Sequence, residues 1–333
     1  MKKILLAVMI VSLSFGSLFA QAQQEYPSRD ITDIVVWGAG GGTDSCNRII
    51  MEEMGKVLGV NINVNNVTGG KAGIIGMTEA YNKPADGYTL CGLSESNTTA
   101  AVYGWDNTMD VWDFFIVGGS PDILSVTPDS PYKTLDDLVQ ASKANPNSIK
   151  AGAGGPGSIH HLNLLAFMEG SGSEMAFIPY DGSAGSQNAA MTGEISVVIT
   201  SVAEQAEMIK AGKLRPLAMM TPDAYELADI DIPSSFDSYP ELSNFLPLGQ
   251  QIGFAVRADV PQANKTVLEN AFAEAMESDA VKAFGEQHYY NLSGKYGEES
   301  KAIFKNLESK FSWTLFELGA AEVDPASLGI EKK

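Results

Sequence analysis

An α/β protein of two units, each with a mainly parallel central sheet, is the architecture expected from the amino-acid sequence, and three observations carry it. From Ile34 onward, short β-branched runs alternate with segments of helical period, the pattern of strands joined through crossover helices. Glycine-rich turns stand between strand and helix in both halves, Ala39-Gly40-Gly41-Gly42 in the first and Gly154-Gly155-Pro156-Gly157 in the second. Between the halves, at Pro121, the character of the chain breaks off and restarts.

The elements follow in order. Ile34-Val35-Val36-Trp37 reads as a buried strand and Gly38 to Gly42 as a tight loop. Cys46, Ile49, Ile50, Met54, Val57 and Leu58 then recur at spacings of three and four, which predicts a helix from about Thr43. Ile62 and Val64 mark a strand, the turn at Gly69-Gly70 leads to a helix through Met77 and Ala80, and Pro84-Ala85-Asp86-Gly87 turns the chain into a strand from Tyr88 to Leu93. Two apolar runs, around Phe114 and up to Thr127, flank Pro121. Thr134 with Asp137 caps a helix that ends near Asn145-Pro146. A strand at Ile149 to Ala151, the second glycine loop and a helix from Ser158 come next, then strands at Phe177 to Tyr180, Ile195 to Ile199 and Leu217 to Met220. A polar stretch from Thr221 to Pro247 precedes a strand at Ile252 to Val256. The remainder is predicted helical, with Phe304, Leu307, Phe311, Leu315 and Leu318 on one face.

Composition narrows the function. With 333 residues, 44% hydrophobic and 19% charged, the chain buries real cores, which excludes intrinsic disorder and collagen-like repetition. Its formal charge of −19 repels phosphate backbones, so no nucleic-acid partner is expected. Lys2 and Lys3, the apolar stretch from Ile4 to Ala20 and the small residues around Ala22 read as a secretory signal over residues 1–22. The mature protein is therefore expected to be soluble and exported. Two cysteines, Cys46 and Cys91, cannot build a disulfide framework or a four-cysteine zinc site; one bridge between them and two separately buried thiols both remain open. His160 and His161 are neighbours on a helix, about 100° apart, and cannot chelate one ion. No metal and no cofactor are expected.

The glycine turns carry the functional signal. Glycine lets a ligand approach the backbone, and the free amides of the following helix meet it with the positive end of the dipole. Two such cradles, Ala39 to Asp44 and Gly154 to Ser158, could clamp the ends of a dicarboxylate; the plainer alternative is that the glycines only permit tight turns. A dinucleotide fingerprint lacks its acid, since the stretch from Ile62 to Val67 offers only asparagines. Gly69-Gly70-Lys71-Ala72 lacks the phosphate-loop spacing. A nucleophilic system of Ser158 and His161 would need an orienting acid and an elbow motif, and no GxSxG is present.

The run IVVWGAGGGTDSCNR, then NVTGG, KPADGYTL, GPGSIHHL, IPYDG and IKAGKLRPLAM, in this order, resembles the TctC (Bug) family of periplasmic solute-binding receptors, which serve tripartite tricarboxylate transporters. The likeness runs from Tyr26 to the final helices. It implies a type II periplasmic-binding-protein fold, with residues 23–120 and 253–333 in one domain, 121–252 in the other, and a closing cleft. It further implies a small carboxylated solute as ligand, integral-membrane transporter subunits as partners, a monomer, and no chemical change to the ligand. Carried over motif by motif, the ligand site comprises Ala39, Gly40, Gly41, Gly42, Thr43 and Asp44, with Trp37 at the aromatic position. Ser94, Ser96 and Asn97 line the same cleft. The second domain adds Gly154, Gly157, Ser158 and His161, and Tyr180, Asp181, Gly182 and Ser183. The chain departs from the family where its common YKG is Tyr180-Asp181-Gly182, where Gly185 replaces the usual proline, and where an acidic position falls on Ala189. Asp181 in place of a basic residue points away from a plain tricarboxylate, toward a ligand with an amine, hydroxyl or neutral ring. Two other classes stay open: a receptor partnered with a sensor kinase, and a hydrolase on the same scaffold using Ser158 and His161.

Overall fold

A computed structural model describes residues 26–246 and 248–333, so the expected signal segment lies outside the described residues. β1 (Ile31–Val35), α1 (Gly42–Leu58), β2 (Ile62–Asn66), α2 (Ile74–Tyr81) and β3 (Thr89–Ser94) follow one another, with β1 parallel to both β2 and β3. β4 (Trp112–Gly119) and β5 (Asp122–Val126) carry the chain across Ser120-Pro121 from one sheet to the other. The second unit comprises α3 (Leu135–Ala144), β6 (Lys150–Ala153), α4 (Ile159–Ser171), β7 (Ala176–Pro179), α5 (Ser183–Met191), β8 (Val197–Ser201), α6 (Val202–Lys210) and β9 (Arg215–Met219). A small hairpin follows, β10 (Tyr225–Leu227) with β11 (Ile230–Ile232). β12 (Ile252–Arg257) brings the chain back, and α7 (Gln262–Met276), α8 (Asp279–Gln287), β13 (Asn291–Tyr296) and α9 (Gly297–Glu317) complete the first unit.

The six-stranded sheet has the order β13-β4-β12-β3-β1-β2 and the five-stranded sheet β7-β6-β8-β5-β9. Both are mixed rather than mainly parallel. In each, the strands of the crossover units pair in parallel. A strand arriving from the other unit is inserted antiparallel to both its neighbours: β12 between β3 and β4, β5 between β8 and β9. Strand direction is set by the side from which the chain enters a sheet, which local sequence does not record.

The predicted helical remainder contains an edge strand, β13. Gly294, at φ +68°, and a register shift between Leu292 and Lys295 break its alternation, so no period of two is visible in its sequence. The predicted face of α9 is buried at Phe304, Phe311 and Leu315, with Phe304 stacked on Phe114 at 3.9 Å, while Leu318 stands at the helix end. Cys46 and Cys91 are separate buried thiols.

Candidate ligand-binding cleft

α1 follows β1, α4 follows β6, α5 follows β7 and α6 follows β8, so the carboxyl ends of both sheets aim helix N-termini at the junction between the units. The local chemistry at these ends differs. α4 is capped by Ser158, whose Oγ accepts from His161 N at 3.2 Å. α1 and α5 begin after glycines, Gly41 and Gly182, and have no side-chain cap. Their first-turn amides are thus left for other acceptors.

These ends surround a cavity of about 30 Å³, room for about two waters. Of the residues expected there, Trp37, Gly41, Gly42, Thr43, Ser94, Ser96, Gly154, Ser158, Gly182 and Ser183 line it. The others stand elsewhere. Ala39 and Gly40 are exposed. Asp44 accepts from Gly40 N at 2.9 Å and from Asn66 Nδ2 at 2.8 Å, and pairs with Arg48. Asn97 lies behind the wall, accepting from Trp37 Nε1 at 3.2 Å and donating to Ala72 O at 2.7 Å. The Tyr180 hydroxyl donates to Glu194. The Asp181 side chain is exposed, and only its backbone carbonyl takes part, accepting from Gly38 N at 3.1 Å.

The adjacent histidines divide the work in the order opposite to the one expected. His161 stacks on Phe177 at 4.1 Å and accepts from Gly157 N at 3.2 Å; burial, aided by Lys71, pushes its pKa down to about 4, which keeps it neutral. His160 lines the cavity. Glu95, within the expected stretch from Ser94 to Asn97, lines it too, as do Gly38, Ile159, Glu204, Gln250 and Ile252, which sequence reasoning missed. One signal was available for Glu204. Ser201-x-x-Glu204 is a capping box, and both of its bonds form.

His160 is the centre of a buried ionic cluster. Its Nδ1 lies 2.7 Å from Asp122 Oδ2, and its Nε2 lies 3.3 Å from both Glu204 Oε2 and Ser183 Oγ. Asn163 Nδ2 donates to the same Asp122 oxygen at 2.7 Å. Burial alone would discharge the imidazole, but Asp122 and then Glu204 outweigh it and hold the pKa well above the usual range. Burial likewise acts to raise Glu204. The His160 cation and hydrogen bonds from His160, Ser183 and Ser201 overcome it and bring the carboxyl down to about 2. Glu95 lacks such compensation: burial pushes it up to about 7, against bonds from Gln251 N at 2.5 Å and Ser96 Oγ at 2.8 Å. Ser183, His160 and Asp122 stand in the order of a nucleophilic triad. With both ring nitrogens facing carboxylates, however, the protonated imidazole is favoured, and a protonated ring has no lone pair to take a serine proton.

Direct hydrogen bonds away from the crossing strands join the two units across the cleft. Gly38 N donates to Asp181 O at 3.1 Å, Ala72 N to Pro156 O at 2.8 Å, Thr99 Oγ1 to Gly157 O at 3.0 Å, Ile159 N to Ser96 Oγ at 2.9 Å, and Gly42 N to Glu204 Oε1 at 2.8 Å. The cleft is closed.

Two α/β units joined by crossing strands, with a cavity at their junction, have the architecture of two-domain solute-binding receptors. The family model described as "Tripartite tricarboxylate transporter family receptor" matches residues 46–291. The chain belongs to that family. It is 30% identical over 227 residues to protein BugT of Bordetella pertussis, covering 66% of this chain and 69% of BugT. Among solved structures, a protein of R. palustris with adipate superposes with a TM-score of 0.80 at 20% identity, covering 89% of this chain and 99% of that one. MatC of Rhodopseudomonas palustris, with bound malate, gives 0.78 at 18% identity, covering 87% and 100%. Among the described residues no helix is long and apolar enough to cross a membrane.

Proposed function

We propose that the chain is an exported, monomeric receptor that closes its two units on a small carboxylated solute and presents it, unchanged, to the membrane subunits of a tripartite tricarboxylate-type transporter. The observation that carries the reading is the convergence of helix N-termini on one cavity, with the first turn of α5 after Gly182 free of a side-chain cap, an arrangement suited to an anionic group. Family membership supports the transporter partner, and the adipate and malate of the two solved relatives support the ligand class. A receptor rather than an enzyme is favoured by the His160 cation, which leaves Ser183 without a base. Trp37 forms part of the wall, and Asn97 orients its ring.

The test is a thermal-shift screen of the purified protein, unfolded and refolded to strip any carried-over solute, against mono-, di- and tricarboxylates and amino acids. A specific acid at about 100 times its Kd is expected to add about 2.7 kcal/mol, a rise of a few degrees. Silence toward every acid would defeat the proposal, and so would conversion of a bound acid into another compound.

A further inference from the structure

Resting on the receptor reading above, we infer that Glu204 sets the specificity of the cleft: it fills one anion position from within the protein, so the ligand is a small amino acid, with one carboxylate and one ammonium, rather than a dicarboxylate. Glu204 belongs to the second unit, yet its Oε1 accepts from Gly42 N of the first at 2.8 Å, the amide on which one end of a bridging dicarboxylate would sit. Its Oε2 is held by Ser201 N at 2.9 Å and Ser201 Oγ at 2.8 Å, with His160 Nε2 at 3.3 Å. The side chain is 4% exposed. These four donors, three on Oε2 and one on Oε1, fix the carboxylate in place.

The charge of the remaining wall points the same way. No lysine or arginine lines the cavity, and His160, its one cation, already stands between two carboxylates. A dianion would add a second negative charge beside Glu204 without meeting a free positive group. Glu95 is 1% exposed, and its two oxygens accept only from neutral donors, Ser96 Oγ and Gln251 N. An ammonium at that wall would stabilise the ionised form of this buried acid, which the more distant His160 charge and its neutral donors do not fully offset. The ligand carboxylate is left with the uncapped first turn of α5 at Ser183.

Titration calorimetry of the stripped, purified protein would compare glycine with malonate and β-alanine with succinate, pairs that share a spacer. At least one amino acid is expected to bind tenfold or more tightly than its paired dianion. Glu95→Gln should weaken that amino acid by tenfold or more, with the melting temperature of the free protein within a few degrees of the parent. Glu204→Gln can keep its carbonyl oxygen on Gly42 N while an uncharged amide nitrogen takes the place of Oε2 beside Ser201 and His160, and it should narrow the ratio; Glu204→Ala, which vacates the position, should narrow it further. A parent protein that prefers the dicarboxylate, or a ratio that neither Glu204 variant moves, would overturn the inference and leave the receptor reading standing. Failure of every acid to bind would instead remove the receptor reading and this inference with it.

Discussion

Gly157 has φ +84°, and a Cβ there would lie 2.6 Å from Tyr103 Cε2 and 2.8 Å from Thr99 Oγ1, both in the other unit. Its contribution is therefore the approach of two surfaces, and a contact with solute is not needed to explain it. Any side chain would meet both an unfavourable left-handed backbone, about 1–2 kcal/mol, and a neighbour that blocks closure. Gly157→Ala is expected to weaken solute binding by about tenfold, or about 1.4 kcal/mol. Calorimetry reads this directly, and an unchanged affinity would mean that binding does not require the units to meet at Tyr103.

The crossing strands are packed closely enough to exclude side chains. On β12, a Cβ at Gly253 would stand 1.9 Å from Phe115 O, and one at Gly119, which ends β4, would stand 2.2 Å from Gln250 O. Both obstacles are backbone, so nothing can rotate away. Gly253→Ala is expected to cost more than about 2 kcal/mol, seen as a lower urea midpoint at unchanged slope. α3 offers a contrast. Its capping box, Thr134 Oγ1 accepting from Asp137 N at 3.1 Å and Asp137 Oδ2 accepting from Thr134 N at 2.9 Å, involves no residue of the cavity wall. Thr134→Ala should cost about 1 kcal/mol of stability and leave solute affinity alone; a change in affinity would show that α3 is coupled to the cleft.

Several buried titrating groups give the protein one direction of pH dependence. Burial pushes Asp33 up to about 8 and Glu95 and Glu308 up to about 7. Above the ordinary carboxyl range the unfolded chain releases these protons first, so stability falls as pH rises toward 8. His160, raised by Asp122 and Glu204, adds stability that is complete below about 6.5 and is lost as pH rises through its folded value. Glu204 acts at the opposite end. Its contribution is present above the ordinary glutamate range and is lost as pH falls through about 2. Self-repulsion at a net charge of −19 reinforces the loss at high pH. The melting temperature is therefore expected to be several degrees higher at about pH 5.5 than at about pH 8.5. Glu95→Gln should flatten the slope between about pH 5 and 7. A melting temperature that holds level or rises over the range would contradict this assignment.

Much of this was legible in the amino-acid order, because turns, caps and periodicity are settled within a few residues. The helix from about Thr43, the Thr134 cap, the Ser158 helix start and the glycine loops at the junction are all of this kind. Sequence by itself therefore determined an α/β chain in two units with helix N-termini ready to meet an anion. Only tertiary structure decided strand direction, the edge strand at Asn291–Tyr296 and which histidine faces the cavity. It also placed Glu204 on the Gly42 amide, 162 residues away along the chain. The physical reason is range. A helix cap is chosen by its next three residues, whereas the charge of a closed cleft is the sum of groups that meet only after both sheets have formed.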